Sequence, residues 1–143
     1  MSKLSDKILH NTPIQLSSYH KITESIFRNI QNILNTRSSI GLNIYIKEHT
    51  LFDHTNFGLP DFSFVSFHSD NDKKKLCRAI KIGITQFENR LSDVEVIFSR
   101  FDALKKIVEI KVTANLVKDG LGMSLLLNLN RWEFSVHEWE RNQ

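Results

Sequence analysis

Apolar residues recur every three to four positions over residues 20–36. Ile22, Ile26, Phe27, Ile30, Ile33 and Leu34 fall on one arc of a helix turning about 100° per residue. Glu24, Arg28, Gln31 and Asn35 occupy the opposite side, and Thr36 to Gly41 break the pattern. The spacing predicts an amphipathic helix here. Residues 1–19 are polar and irregular, and Asn11-Thr12-Pro13 marks a turn. They read as an N-terminal arm, either frayed or ordered by a partner, ahead of a single domain spanning 20–143. A second helix is predicted near 73–88, where Leu76, Ile80, Ile84, Phe87 and Leu91 share an arc. Asp70-Asn71-Asp72 supplies candidate N-caps for it. Ile82 falls on the opposite face, where it would be an exposed apolar anchor, and Cys77 sits at the arc's edge as a core or boundary residue.

The period then changes to two. Val94, Val96 and Phe98 alternate with Glu95, Ile97 and Ser99. Val108, Ile110, Val112, Ala114 and Leu116 alternate with Glu109, Lys111, Thr113 and Asn115, the pattern of a half-buried strand. Lys118 to Gly122 reads as a connection. In 124–136, Leu125, Leu127 and Leu129 lie on one face but Trp132, Phe134 and Val136 on the other, so a bulge or tight turn is expected near Asn130-Arg131. Leu42 to Ile46 fits a short strand, and residues 47–72 a long loop, which in so small a domain is often functional. The predicted class is α+β: two main amphipathic helices packed on a small, mainly antiparallel sheet of C-terminal strands.

Composition narrows the function more than the fold. The 143 residues suit one domain, and their net charge of +3 is far from the clustered charge of a nucleic-acid binder. The start lacks a long apolar core of signal-peptide type, and no run approaches the roughly 18 apolar residues of a membrane span. With Cys77 the only cysteine, an intrachain disulfide is impossible. These features fit a soluble, cytoplasmic protein with neither nucleic-acid binding nor membrane insertion.

Catalytic constellations are sparse. Glu88 and Glu95 could in principle flank a glycoside, yet nothing in their spacing sets them across a cleft. His49 and His54 flank Asp53 without metal-ligand spacing, and no nucleophile elbow or phosphate-binding loop is present. The expectation is a non-enzyme without metal or cofactor. Lys73-Lys74-Lys75 stands in a first helical turn, where the dipole disfavours cations; it is either a solvated run or a contact for an acidic partner.

Two segments suggest docking. In Phe57-Gly58-Leu59-Pro60-Asp61-Phe62-Ser63, Gly58 permits positive φ, Pro60 fixes its own φ, and Asp61 can accept backbone hydrogen bonds. Phe57, Phe62 and Phe64 would anchor this rigid apolar loop to the core. Glu88-Asn89-Arg90 falls at the second helix's end. If helical spacing continued, Glu88 and Arg90 would lie on opposite flanks of the apolar arc, unpaired with each other and free to orient an interface.

Three segments together resemble the TssE family of type VI secretion baseplate subunits and the wider phage baseplate-wedge (GPW-type) family. They are Ser25 to Ile30 running into Leu34-Asn35-Thr36-Arg37, then Phe57 to Ser63, then Phe87-Glu88-Asn89-Arg90-Leu91 followed by Val94 to Phe98. The family pattern in the third is Glu-Pro-Arg; here the middle residue is Asn89, so the charges are kept and the proline's helix stop is not. The resemblance implies a non-enzymatic subunit in a bacterial cytoplasm, at a membrane-docked baseplate. Its Glu-Pro-Arg segment would engage the wedge's helical core built by TssF and TssG, with TssK a further baseplate contact. Its sheath-protomer-like sheet would start polymerisation of the TssB–TssC sheath. Glu88, Asn89, Arg90, Gly58, Leu59, Pro60, Asp61 and Ile82 are the expected contact residues. The other functions weighed are a lysozyme-like peptidoglycan-cleaving enzyme and a regulatory adaptor on the same fold.

Overall fold

The computed structural model describes residues 13–48 and 56–139. Helix α1 (Pro13–Asn35) starts on proline, which tolerates a first helical position because its missing N–H would go unused there. The helix opens seven residues before residue 20, where the sequence pattern placed its start. Residues 13–19, expected within an irregular arm, are helical. The rest of that arm, residues 1–12, lies outside the described residues. Ile26, Ile30, Ile33 and Leu34 are fully buried, each worth about 1.5–3 kcal/mol of apolar transfer. Ile22, placed on the same arc, is largely exposed.

Helix α2 (Leu42–Lys47) replaces the short strand expected at 42–46. Five residues with Leu42, Ile44 and Ile46 apolar fit either period; the buried pair is Leu42 and Tyr45, three apart, which is helical spacing. Helix α3 (Asp70–Phe87) is capped by Ser69, whose Oγ accepts from the Asp72 N–H at 3.2 Å. Asp70 and Asp72, expected as caps, occupy the first turn, where negative charge suits the helix dipole. The helix buries more than one arc: Leu76, Ala79, Ile80, Ile82, Gly83 and Ile84 are all inside. It packs on β1 and also meets α1 and α2, so Ile82, expected as an exposed anchor, is 8% exposed and belongs to the core.

Strands β1 (Leu91–Asp102), β2 (Ile107–Leu116), β3 (Asp119–Asn128) and β4 (Glu133–Glu138) form one antiparallel meander in chain order. The expected third strand is thus two, split by the turn that the parity change at Asn130-Arg131 indicated. Asp119 to Gly122, expected as a connection, belongs to β3, since Leu116 pairs with Asp119 across a two-residue turn. The inner face carries Val108, Ile110, Val112 and Ala114 from β2 and Leu121, Met123, Leu125 and Leu127 from β3, all buried. β1 departs from regular pairing at Ser92–Glu95 and again at Phe98–Arg100.

The two edges are treated differently. Along β4, the Asn35 side chain donates to the Phe134 carbonyl (3.0 Å) and accepts from the Phe134 N–H (2.7 Å). Gln31 Oε1 accepts from the Val136 N–H at 3.3 Å. Side chains of α1 thereby occupy the outward backbone groups of that edge strand, as helices often cover exposed edges.

The tight turn between β2 and β3 holds Val117 at φ 61°, with 82% of the residue exposed. A β-branched residue there is strained by about 1–2 kcal/mol, and glycine's own entropic cost of about 0.5–1 kcal/mol offsets only part of that. Val117→Gly is expected to raise unfolding stability by about 0.5–1 kcal/mol with an unchanged denaturant m-value; a lower midpoint would show that the turn is not strained.

Candidate functional site

Helix α3 stops at Phe87 without a proline. The Glu88 N–H still bonds the Ile84 carbonyl at 2.9 Å, but Glu88 takes φ −128° and ψ 87°, outside the helical region. Its carbonyl then accepts from the Leu91 N–H at 3.4 Å, closing a turn with Asn89 and Arg90 at its centre. Because the helix does not continue, Glu88 and Arg90 are not on opposite flanks as expected. They meet. Glu88 Oε1 accepts from Arg90 Nη2 at 2.7 Å, and Oε2 accepts from Arg90 Nε at 2.8 Å and from the Arg90 backbone N–H at 3.0 Å. This is a bidentate, charge-assisted pair.

Two residues of α1, which spacing alone did not single out, complete the cluster. Asn29 Nδ2 donates to Glu88 Oε1 and to the Phe87 carbonyl, both at 3.0 Å. Arg90 Nη1 donates to Ser25 Oγ at 2.9 Å. Ser25 and Asn29 are four apart, on the flank of the buried stripe; two small polar residues at that spacing beside an apolar arc were the available signal. The Glu88 side chain is 1% exposed and that of Arg90 is 42% exposed. Glu88 is therefore a buried anchor, not a free surface charge, while Arg90 and the exposed Asn89 face solvent.

Burial by itself would raise the Glu88 carboxyl. The Arg90 and Asn29 side-chain hydrogen bonds, the Arg90 N–H and the guanidinium charge outweigh it and hold the group below the usual carboxylate range. The hydrogen bond to Glu88 in turn raises Arg90. A carboxylate so held cannot act as a proton donor near neutrality. Glu95, the other carboxylate weighed for glycoside chemistry, lies beside Lys81 on the surface at 3.7 Å.

The Gly58–Asp61 segment docks inward. Leu59 forms a parallel bridge with Arg37: its N–H bonds the Thr36 carbonyl (2.9 Å) and its carbonyl accepts from Ser38 (2.7 Å). Tyr45 Oη donates to the Gly58 carbonyl at 2.8 Å. Gly58 has φ 103°, and a Cβ there would stand 2.4 Å from the Thr36 carbonyl oxygen, so glycine is required. Gly58, Leu59 and Pro60, expected as contact residues, are buried within the chain. Phe57 packs on Phe87 and Phe62 on Trp132 and Phe134, but Phe64 is 67% exposed and anchors nothing in the core. Asp61 alone of the four is at the surface, its carboxyl held low by the Ser63 backbone N–H and hydroxyl and by Arg37.

Burial pushes the Cys77 thiol up to about 11, far from a reactive thiolate. Among the described residues no cluster of metal-ligating side chains occurs, and no helix is long and apolar enough to cross a membrane. His49, Asp53 and His54 lie outside the described residues.

A sequence profile for the family described as baseplate wedge protein gp25 matches residues 20–120. That span holds the Gly58–Asp61 strut and the whole Glu88–Arg90 cluster. No curated protein matches the chain significantly.

Two outcomes follow from the cluster. Asn89 occupies the second position of a turn, has no positive φ, and follows an extended residue, all of which suit proline. Asn89→Pro is expected to stabilise the fold by about 0.5–1 kcal/mol, read by denaturant midpoint; destabilisation would mean that the turn differs from the one described. Because the folded Glu88 carboxyl is depressed, its contribution is present above the unfolded value of about 4.3 and is lost as pH falls through the folded value. Glu88→Gln should cost about 2 kcal/mol at neutral pH, and the gap to wild type should close on acidification below about pH 4. Parallel stability curves across that range would refute the pairing.

Proposed function

The chain belongs to the family of baseplate wedge protein gp25, and from that membership we propose that it is a structural baseplate subunit of a type VI secretion system. It docks on the wedge formed by TssF and TssG, with TssK nearby, and initiates polymerisation of the TssB–TssC sheath. The observation that carries this reading is the locked Arg90. Its Nε and Nη2 are fixed on a buried carboxylate and its Nη1 on Ser25, while 42% of the side chain remains at the surface. A guanidinium held in place before a partner arrives loses little entropy on binding. The segment is the one whose likeness to Glu-Pro-Arg implies engagement of the wedge core. A four-stranded sheet whose edge strand β1 pairs on one side only among the described residues supports the sheath-starting role, since such an edge templates pairing with another chain. The Glu88 carboxyl, held ionised by Arg90, fits an anchor and not the acid of a glycosidase.

Arg90→Lys tests the docking without stripping Glu88 of its counter-ion. Lysine keeps the charge but lacks the planar fork. Binding to purified TssF–TssG should weaken about tenfold or more, and sheath foci should be lost in cells, with the variant still melting cooperatively. Wild-type wedge affinity together with normal foci would sink the assignment.

A further inference from the structure

Two exposed apolar side chains bracket Arg90 at the end of the sheet where β1 begins. Leu91 pairs with Leu116, so the turn that follows Leu116 stands beside the turn that precedes Leu91. The first of these carries Val117, 82% exposed and held at φ 61°. Helix α1 crosses the same end. Burial raises its Tyr19 phenol, and the carboxylates of Glu138 and Asp119 add to the rise, so Tyr19 lies near the residue two past Val117. Ser25 of the same helix accepts from Arg90. Ile22 lies midway between Tyr19 and Ser25, and shares the flank of Ser25 and Asn29 by helical spacing. It is 43% exposed, on an arc whose Ile26, Ile30 and Ile33 are fully buried. Val117 keeps a β-branched side chain where glycine would be less strained. Strain held at an exposed position points to a use outside the fold.

The chemistry between these two residues is narrow. A guanidinium has five N–H groups. Two of Arg90's bond Glu88 and one bonds Ser25, which leaves two for a partner. Glu88 already cancels the Arg90 charge, and a second carboxylate arriving there would meet repulsion from the first. The neighbouring charges are of mixed sign: Lys21, Arg28 and Lys118 stand among Glu24, Asp119 and Glu138. The face therefore favours a neutral acceptor over an acidic one.

We propose that Ile22 and Val117 flank Arg90 in one docking face, which takes the uncharged C-terminal end of a helix of the wedge. The last carbonyls of a helix have no partner within it, and several converge at its end. They supply acceptors for both remaining Arg90 N–H groups, and their partial negative charge suits a guanidinium whose full charge is already met. Apolar side chains of the same helix pack on Ile22 and Val117. A second copy of this chain is the wrong occupant, because its long helices have their terminal turns engaged: Arg37 donates to the Leu34 carbonyl of α1 and Asn29 to the Phe87 carbonyl of α3. The inference rests on the reading of Arg90 as the wedge contact. It adds two contact residues from other elements and the chemistry of what they meet.

The test measures binding of the full chain to purified TssF–TssG by calorimetry, with a denaturant midpoint for each variant. Val117→Gly should be more stable than wild type and yet bind about tenfold more weakly. Ile22→Ala, a better helix former, should also bind about tenfold more weakly and still melt cooperatively. Val117→Ile, which keeps the branched apolar surface, should bind as wild type does. Raising salt from about 0.05 M to about 0.5 M should change wild-type affinity less than about threefold. Unchanged affinity in Val117→Gly or in Ile22→Ala, with Arg90→Lys weakened, would overturn this inference and leave the wedge reading standing. A steep loss with salt would assign the face to acidic groups and overturn it too. So would self-association of wild type that either substitution abolishes, or tighter wedge binding once residues 1–12 are deleted, since a second copy or the chain's own N-terminus would then occupy the face. Absence of any binding by wild type would fell the wedge reading and this inference together.

Discussion

The buried carboxylate of Glu88 is the contact through which the helical layer is set against the sheet. It lies at the point where α3 has just ended and β1 has not begun, and its hydrogen-bond donors come from both sides: Asn29 from α1, and Arg90 from the turn into β1. A carboxylate at 1% exposure is costly unless every lone pair finds a donor, and here four hydrogen bonds converge on two oxygens. The geometry is accordingly narrow. If α1 shifts by one residue, Asn29 leaves, and with it the bond to the Phe87 carbonyl that finishes α3.

The position of α1 has a second consequence at the other side of the sheet. The same helix that gives Ser25 and Asn29 to the Glu88 cluster gives Gln31 and Asn35 to β4. Those four residues lie along the flanks of one apolar stripe, so a single placement of the helix both locks Arg90 and closes one edge of the sheet. The strut from Gly58 to Leu59 supports this placement from the exit of α1, through the bonds to Thr36 and Ser38. Among the described residues, α1 covers the β4 edge and not the β1 edge, and it leaves part of Arg90 at the surface.

Much of this was legible in the sequence where a period ran long enough. The stripes of α1 and α3 and the alternation in β2 extend over enough residues to separate 3.6 from 2, and the change of parity at Asn130-Arg131 locates the last turn. Five residues at 42–46 were too few, and an amphipathic single turn was read as strand. Ile82 was misjudged for another reason: a one-sided arc describes a helix with one packing partner, whereas α3 has neighbours on the sheet and on both α1 and α2. At Glu88-Asn89-Arg90 the expectation extrapolated the helix through a site where the chain turns. Asn89 hid the stop that a proline would have announced, although asparagine is itself a common turn residue. The segment Gly58, Leu59 and Pro60 was legible only as a rigid loop, because a glycine-proline loop between aromatics is as suited to bracing a core as to touching a partner.

The charges on α3 divide the two open surfaces by kind. A helix dipole favours acids at the start and bases at the end, and α3 carries Lys73, Lys74 and Lys75 near its start and Glu88 just past its end. The C-terminal end thus holds a charge that the helix disfavours, whereas at the N-terminal end Asp70 and Asp72 fill the first turn and the lysines follow it, so the compensation differs. At the C-terminal end it is internal and complete: Arg90 and Asn29 neutralise and satisfy Glu88, so the surface shown to a partner is rigid and already paid for in conformational entropy. At the N-terminal end Asp70 pairs only Lys73, at a surface site where such a pair is worth little, and Lys74 stays in solvent. The first surface is built to fix an orientation. The second, with Lys74 exposed, would gain from neutralisation by an acidic group.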